Sequence, residues 1–265
     1  MKRNVIFPLL IFLFILGGCS NSDSIKHLES EKYTVDYIKE HSNITMENKI
    51  LCIEDNTPSM YENGLEGTFY MEVQKCGEDF SVAYNVSGYE IGLFSIDNSY
   101  TGYSVIADEE KKYTVNGDIS ESTMYKDFVY IKDMMDIDYS SAKVKTISLA
   151  QGPSKKETVS ENIASVSENT STEDVVLLTT KEYLYVLYMN PNDGKCNRLQ
   201  IMIFDEKGNV AEEFFIIVED LQNEIMYPVK IEDIADVEAL SGEEFSELSF
   251  NFVFGSMLNT IGESK

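Results

Sequence analysis

From Lys49 onward the chain alternates apolar and polar residues with a period of two, and turn residues interrupt it at short intervals. Ile50-Leu51-Cys52-Ile53 is a short apolar run, followed by a loop over Glu54 to Gly67. Thr68 to Lys75 sets Phe69, Met71 and Val73 on one face and Thr68, Glu72 and Gln74 on the other. Phe80 to Ser87 repeats the pattern with Val82, Tyr84 and Val86. Tyr89 to Ile96, Tyr103 to Ala107 and Lys112 to Val115 follow, separated by Ser87-Gly88, Asp97-Asn98-Ser99 and Asp108-Glu109-Glu110. Strands this short, joined by turns this tight, pair with their sequence neighbours. The stretch predicts an antiparallel meander.

Two stretches change to helical spacing. Leu28, Val35 and Ile38 lie in an amphipathic pattern over about 25–41. Met124, Phe128, Ile131 and Met135 fall at spacings of 4, 3 and 4, behind Ser120 or Ser122 as N-cap, and predict a helix over 121–135. Its apolar stripe should lie on the meander. Val144 to Leu149 reads as a strand, and Gly152 to Asp174 is almost wholly polar, an insertion or a linker.

A second strand-rich block begins at Val175. Glu182 to Met189, Arg198 to Phe204 and Glu213 to Val218 are strands, with turns at Asn190 to Gly194 and Asp205 to Asn209. Ile231 to Leu240 reads as a short helix or turn. Leu248, Phe250, Phe252 and Phe254 alternate and predict a last strand. Half-exposed strands normally alternate, but Tyr183-Leu184-Tyr185-Val186-Leu187-Tyr188-Met189 is apolar on both faces, and Leu199 to Phe204 nearly so. Such a sheet needs cover on both sides: helices on one, and a second sheet or an apolar ligand on the other. Tyr183, Tyr185, Leu187, Met189, Leu199, Ile201 and Ile203 are the candidate lining of an apolar cavity, or the filling of a packed core. The fold class expected is α+β, mostly antiparallel meander, with helices packed on one side.

Charge narrows the partners. The chain carries 46 acidic and 21 basic side chains. That balance repels a polyphosphate, so nucleic acid is excluded as a partner. It attracts cationic peptides, or it is dispersed surface acid that keeps the chain soluble. Cys52, Cys76 and Cys196 are odd in number and widely spaced. They read as free thiols, with a Cys52–Cys76 bridge as the alternative. His27 and His41 are the only histidines, and no phosphate loop, GxGxxG or GxSxG occurs. Asp133, Asp136 and Asp138 lack the glycine and terminal glutamate of a calcium loop. No catalytic residue, metal ligand or cofactor is assigned, and a non-enzymatic role is expected.

The first residues decide location. Lys2 and Arg3 precede an apolar run from Val5 to Leu16, too short to span a bilayer and of the length of a signal-peptide core. Leu16-Gly17-Gly18-Cys19 resembles the lipobox of bacterial lipoproteins. That resemblance implies cleavage between Gly18 and Cys19 and a diacylglycerol on the Cys19 thiol. A secretory signal with an incidental cysteine, or an uncleaved anchor, are the alternatives. Two acyl chains suffice to hold a protein at a membrane. Removing residues 1–18 leaves 247 of the 265 residues, with 19 basic against 46 acidic side chains, a balance of −27. The expected organisation is a signal peptide over 1–18, a tether over 19–26, an α+β domain over 27–254 that residues 152–174 either interrupt or divide, and a tail over 255–265.

The order of lipobox, N-terminal helix, meander, helix and further hairpins resembles the envelope lipoproteins and lipoprotein carriers of the LolA and LppX/LprG type. The stretches that carry it are Phe80 to Ser87, Tyr103 to Asp108, Tyr113-Thr114-Val115 and the hairpin Leu199 to Val218. The resemblance implies a curved half-barrel closed by helices over an apolar cavity, and a lipid as ligand. The chain departs from the pattern in its long polar insertion and in Asp108-Glu109, where Asp-Gly is usual. The function expected is a membrane-anchored extracytoplasmic binding or carrier module for a lipid or other apolar ligand. The alternative is an acidic, immunity-type surface lipoprotein that binds a cationic peptide or partner protein.

Overall fold

The structure, a computed structural model, describes residues 32–56, 69–86, 89–106, 109–148, 173–222, 224–226, 234 and 237–263. Gly18, Cys19, the expected tether and almost all of the polar insertion lie outside them. Among the described residues, twelve strands form one mostly antiparallel sheet, accompanied by three α-helices.

The first half is the meander the alternation predicts. Its strands are β1 (Lys49–Asp55), β2 (Phe69–Cys76), β3 (Asp79–Val86), β4 (Tyr89–Ile96), β5 (Ser99–Ile106) and β6 (Glu109–Asn116), each paired antiparallel with the next. The turns form where the sequence supplies residues that tolerate positive φ: Gly77 between β2 and β3, and Asp97-Asn98 between β4 and β5. The second half comprises β7 (Lys143–Ser148), β8 (Asp174–Thr179), β9 (Tyr183–Met189), β10 (Cys196–Phe204) and β11 (Val210–Asp220). Asp205 shapes the β10–β11 turn, where its carboxylate accepts from the backbone N–H groups of Lys207 and Asn209 at 2.8 Å each. The halves join at the middle of the sheet, where β1 pairs antiparallel with β11.

Helix α1 (Val35–His41) is shorter than the expected pattern. Thr34 is its N-cap and accepts from the Tyr37 N–H at 3.1 Å, so Lys32, Tyr33 and Thr34 precede the helix; residues 25–31 are outside the described set. Helix α2 (Thr123–Met135) forms as the spacing predicts and buries Met124, Phe128, Ile131, Met134 and Met135. Ser122 is its N-cap by position but makes no side-chain capping bond. Ser246 supplies that group instead, accepting from the Thr123 N–H at 3.1 Å.

Two expectations near the C-terminus are overturned. Residues 248–254 are helical, inside α3 (Gly242–Glu263). The alternation of Leu248, Phe250 and Phe252 was real, but Ser241 and Glu244 cap each other reciprocally and start a helix through it. The Ser241 N–H donates to Glu244 at 2.7 Å, and the Glu244 N–H donates to Ser241 Oγ at 3.1 Å. Of the helix or turn expected over 231–240, residues 237–240 instead lie in β12 (Val237–Ser241), which adds to the meander's free edge and runs parallel to β6, and residues 231–233, 235 and 236 lie outside the described set.

All three helices send residues into one core on one face of the sheet. Ile38 of α1, the stripe of α2, and Phe245 and Phe252 of α3 meet Leu51, Val73, Val82, Leu93, Leu187 and Ile216 there. The other face carries two smaller clusters. One holds Ile50, Phe94 and Tyr103 beneath Leu221 and Ile225; the other centres on Leu177, Val186 and Met202. Every described strand belongs to the single sheet, so among the described residues a second sheet does not supply the second cover.

Candidate functional site

The strand residues singled out from the sequence share one face. On β9 and β10 the register sets Leu199 opposite Leu187, Ile201 opposite Tyr185 and Ile203 opposite Tyr183. Period-two alternation then turns all of them, with Met189, toward the helices. Tyr185, Leu187, Met189, Leu199 and Ile201 are buried in the main core, whereas Tyr183 and Ile203 are half-buried at its margin. Each large apolar side chain buried here stabilises the fold by about 1.5–3 kcal/mol. Tyr185 resolves its polar end by donating to the Met134 carbonyl at 2.7 Å, which satisfies an unpaired carbonyl in the last turn of α2. Burial raises the Tyr185 hydroxyl well above its ordinary value.

At Tyr183 and Ile203 the apolar row ends in an aromatic rim. Tyr130, 36% exposed on α2, donates to Glu212 at 2.8 Å and meets Phe214 edge-on. Tyr183 packs against Tyr185 with ring centroids 5.8 Å apart. Glu212 lies opposite Ile203 and Phe214 opposite Ile201, so this bond ties α2 to β11 at the row's outer end.

Helix α3 is the other unusual element of this face. Its described turns bury Phe245, Ser249 and Phe252 and set Glu243, Glu244, Glu247 and Asn251 in solvent. Phe245 is fully buried and lies over Gly102 of β5, where a Cβ would fall inside its ring. Phe252 is buried, yet Phe250 is 63% exposed. Among the described residues no helix is long and apolar enough to cross a membrane.

The remaining candidate groups are structural in their contacts. Among the described residues Cys52 and Cys76 are not bridged to each other; both are half-buried, and Cys196 is buried. Burial pushes the Cys196 thiol up to about 12, which keeps it protonated and unreactive. Asp138 accepts from Ser140 and Ser141 in the turn after α2. His41 stacks on Tyr37 at 4.3 Å.

No protein-family model matches the chain, and no curated protein sequence matches it. Among solved structures it is similar to a domain described as an outer membrane lipoprotein-sorting protein from Vibrio parahaemolyticus. The identity is 8%, the TM-score is 0.27, and the match covers 72% of this chain and 93% of that one. Backbones that superpose this loosely carry no argument about the site.

The rim residues Tyr130 and Glu212, and the exposed Phe250, were not singled out from the sequence. Tyr130 lies beside the apolar stripe of α2 and reads as a solvent-side residue. The alternation of Leu248, Phe250 and Phe252 puts Phe250 on an expected strand. The signal that would have found it is the Ser241-Gly242-Glu243-Glu244 capping box.

Proposed function

We propose that the mature chain is a non-enzymatic binding module, tethered through Cys19 to the extracytoplasmic face of a membrane, that takes a lipid or other apolar ligand between the sheet and its helices. The half-barrel form, the lipid anchor and the apolar ligand are all part of this reading. The observation that carries it is α3. It leaves the large apolar side chain of Phe250 63% exposed beside the helix-bearing face, where an acyl chain would cover it. The rim tyrosines Tyr130 and Tyr183 add apolar surface with polar tips, suited to the boundary between an acyl chain and water.

The test is displacement of a dansyl-labelled fatty acid from the detergent-extracted full chain, with mass spectrometry of its non-covalently bound lipid. Saturable dye binding that acyl chains displace is expected. Phe250→Ser should weaken it several-fold without changing the unfolding temperature. Protein that carries no lipid and binds no dye would sink the reading.

A further inference from the structure

The face of the sheet opposite the helices carries a groove of about 390 Å³ across β1 to β4. Two cross-strand rows build it. One runs Ile217, Cys52, Glu72, Ala83, Gly92; the next runs Phe215, Glu54, Tyr70, Asn85, Glu90. The floor is low because Cys52, Ala83 and Gly92 are small. Its far wall is Tyr103, whose ring covers Gly92 and whose hydroxyl donates to Glu90. One end stops where the segment around Met226 closes over the sheet, held by Gln74 through bonds of 2.9 and 2.8 Å to the Met226 carbonyl and N–H. Toward β11 the strip stays open, with Tyr70 44% and Ile217 41% exposed.

The groove has an apolar floor interrupted by Glu72, and Glu54 and Glu90 border it in the next row. None of the residues that line it is a lysine or arginine. Glu72 takes a bond from the neutral Gln74 amide at 2.8 Å. The negative field registers on its neighbours. Burial, with the charges of Glu72 and Glu219 behind it, pushes the Cys52 thiol up to about 11. Burial raises the Glu90 carboxyl, and the charge of Glu72 adds to that rise against the bond from Tyr103.

We propose that this strip docks an extended peptide segment of a partner protein that alternates cationic and apolar side chains. The apolar floor takes the apolar side chains, and Glu54, Glu72 and Glu90 take the cations. Strands lie about 4.8 Å apart, so the five strands from β11 to β4 span about 19 Å, the length of roughly six extended residues. This site is separate from the helix-bearing face and does not depend on the lipid reading.

The experiment uses the full chain in neutral-detergent micelles, with empty micelles as the blank. Fluorescence anisotropy follows a dye-labelled hexapeptide alternating lysine and phenylalanine, and its glutamate counterpart. The lysine peptide should bind and the glutamate peptide should not. Raising salt from about 50 to about 500 mM should weaken binding roughly tenfold. The pair Glu72→Gln and Glu90→Gln should weaken it about tenfold, with fatty-acid displacement unchanged. Should that pair not fold, Tyr70→Lys, at an exposed position, must abolish binding in its place. Equal binding of both peptides, or wild-type affinity in a folded groove variant, overturns the proposal.

Discussion

The two faces of the sheet solve the same local problem differently. Each carries a glycine under an aromatic ring and a tyrosine bonded to a carboxylate. On the helix-bearing face Gly102 lies under Phe245 of α3, and Tyr84 of β3 donates to Asp127 of α2. On the opposite face Gly92 lies under Tyr103 of the neighbouring strand, and Tyr103 donates to Glu90 of β4. In the first case the contacts fasten separate elements together. In the second they stay within the meander and leave the sheet beside them open. Long-range cover makes a core; local cover leaves room for a groove.

Truncating Phe245 should break this contrast most severely. Phe245→Ala removes the anchor of α3 and leaves a void over Gly102, at a cost of about 3–5 kcal/mol in chemical denaturation. Tyr84→Phe comes next, because it leaves the partly buried Asp127 without its donor; about 1–3 kcal/mol is expected. This loss should depend on pH. Burial raises the Asp127 carboxyl above its ordinary value, and the Tyr84 bond pulls it back. A raised carboxyl contributes stability that is full below its unfolded value and is lost as pH rises through the folded one. Removing the donor raises it further. The destabilisation should therefore be largest near neutral pH and shrink toward the ordinary carboxylate range, which denaturation at several pH values will read. Tyr103→Phe sharpens the comparison from the other face. Glu90 borders an open groove and keeps access to water, so the loss should be nearer about 1 kcal/mol. Last, Glu72→Gln should change stability by no more than about 0.5 kcal/mol, since Glu72 contributes to no core. A large effect there would mean that Glu72 is structural.

The meander was legible because everything that defines it is local. Period-two alternation in β2 and β3, with Gly77, Asp97 and Asn98 at the turns, specifies both the strands and their pairing. The stripe of α2 was legible for the same reason. The common face of the candidate residues on β9 and β10 also followed, since alternation and a tight turn fix it. The misreadings lie where local signals conflict or where partners are remote. In 248–254 an i, i+2 pattern competed with a capping box just upstream, and the cap prevailed because it satisfies two helix-end N–H groups. Strand β12 exists through parallel pairing with β6, more than a hundred residues earlier, and nothing within Val237–Ser241 announces it.

The sequence by itself determined the acidic balance, the strands and turns of both halves, the apolar stripe of α2 and the two-sided greasiness of β9 and β10. These depend on residue type and on spacing along the chain, which pleat and helix geometry translate directly. Only the tertiary structure decided that β1 and β11 join the halves, that all three helices choose the same face, and that small residues from three strands align into an acidic groove on the other. Those outcomes depend on which surfaces meet across long sequence separations. There the free energy comes from area removed from water, and no window of sequence contains it.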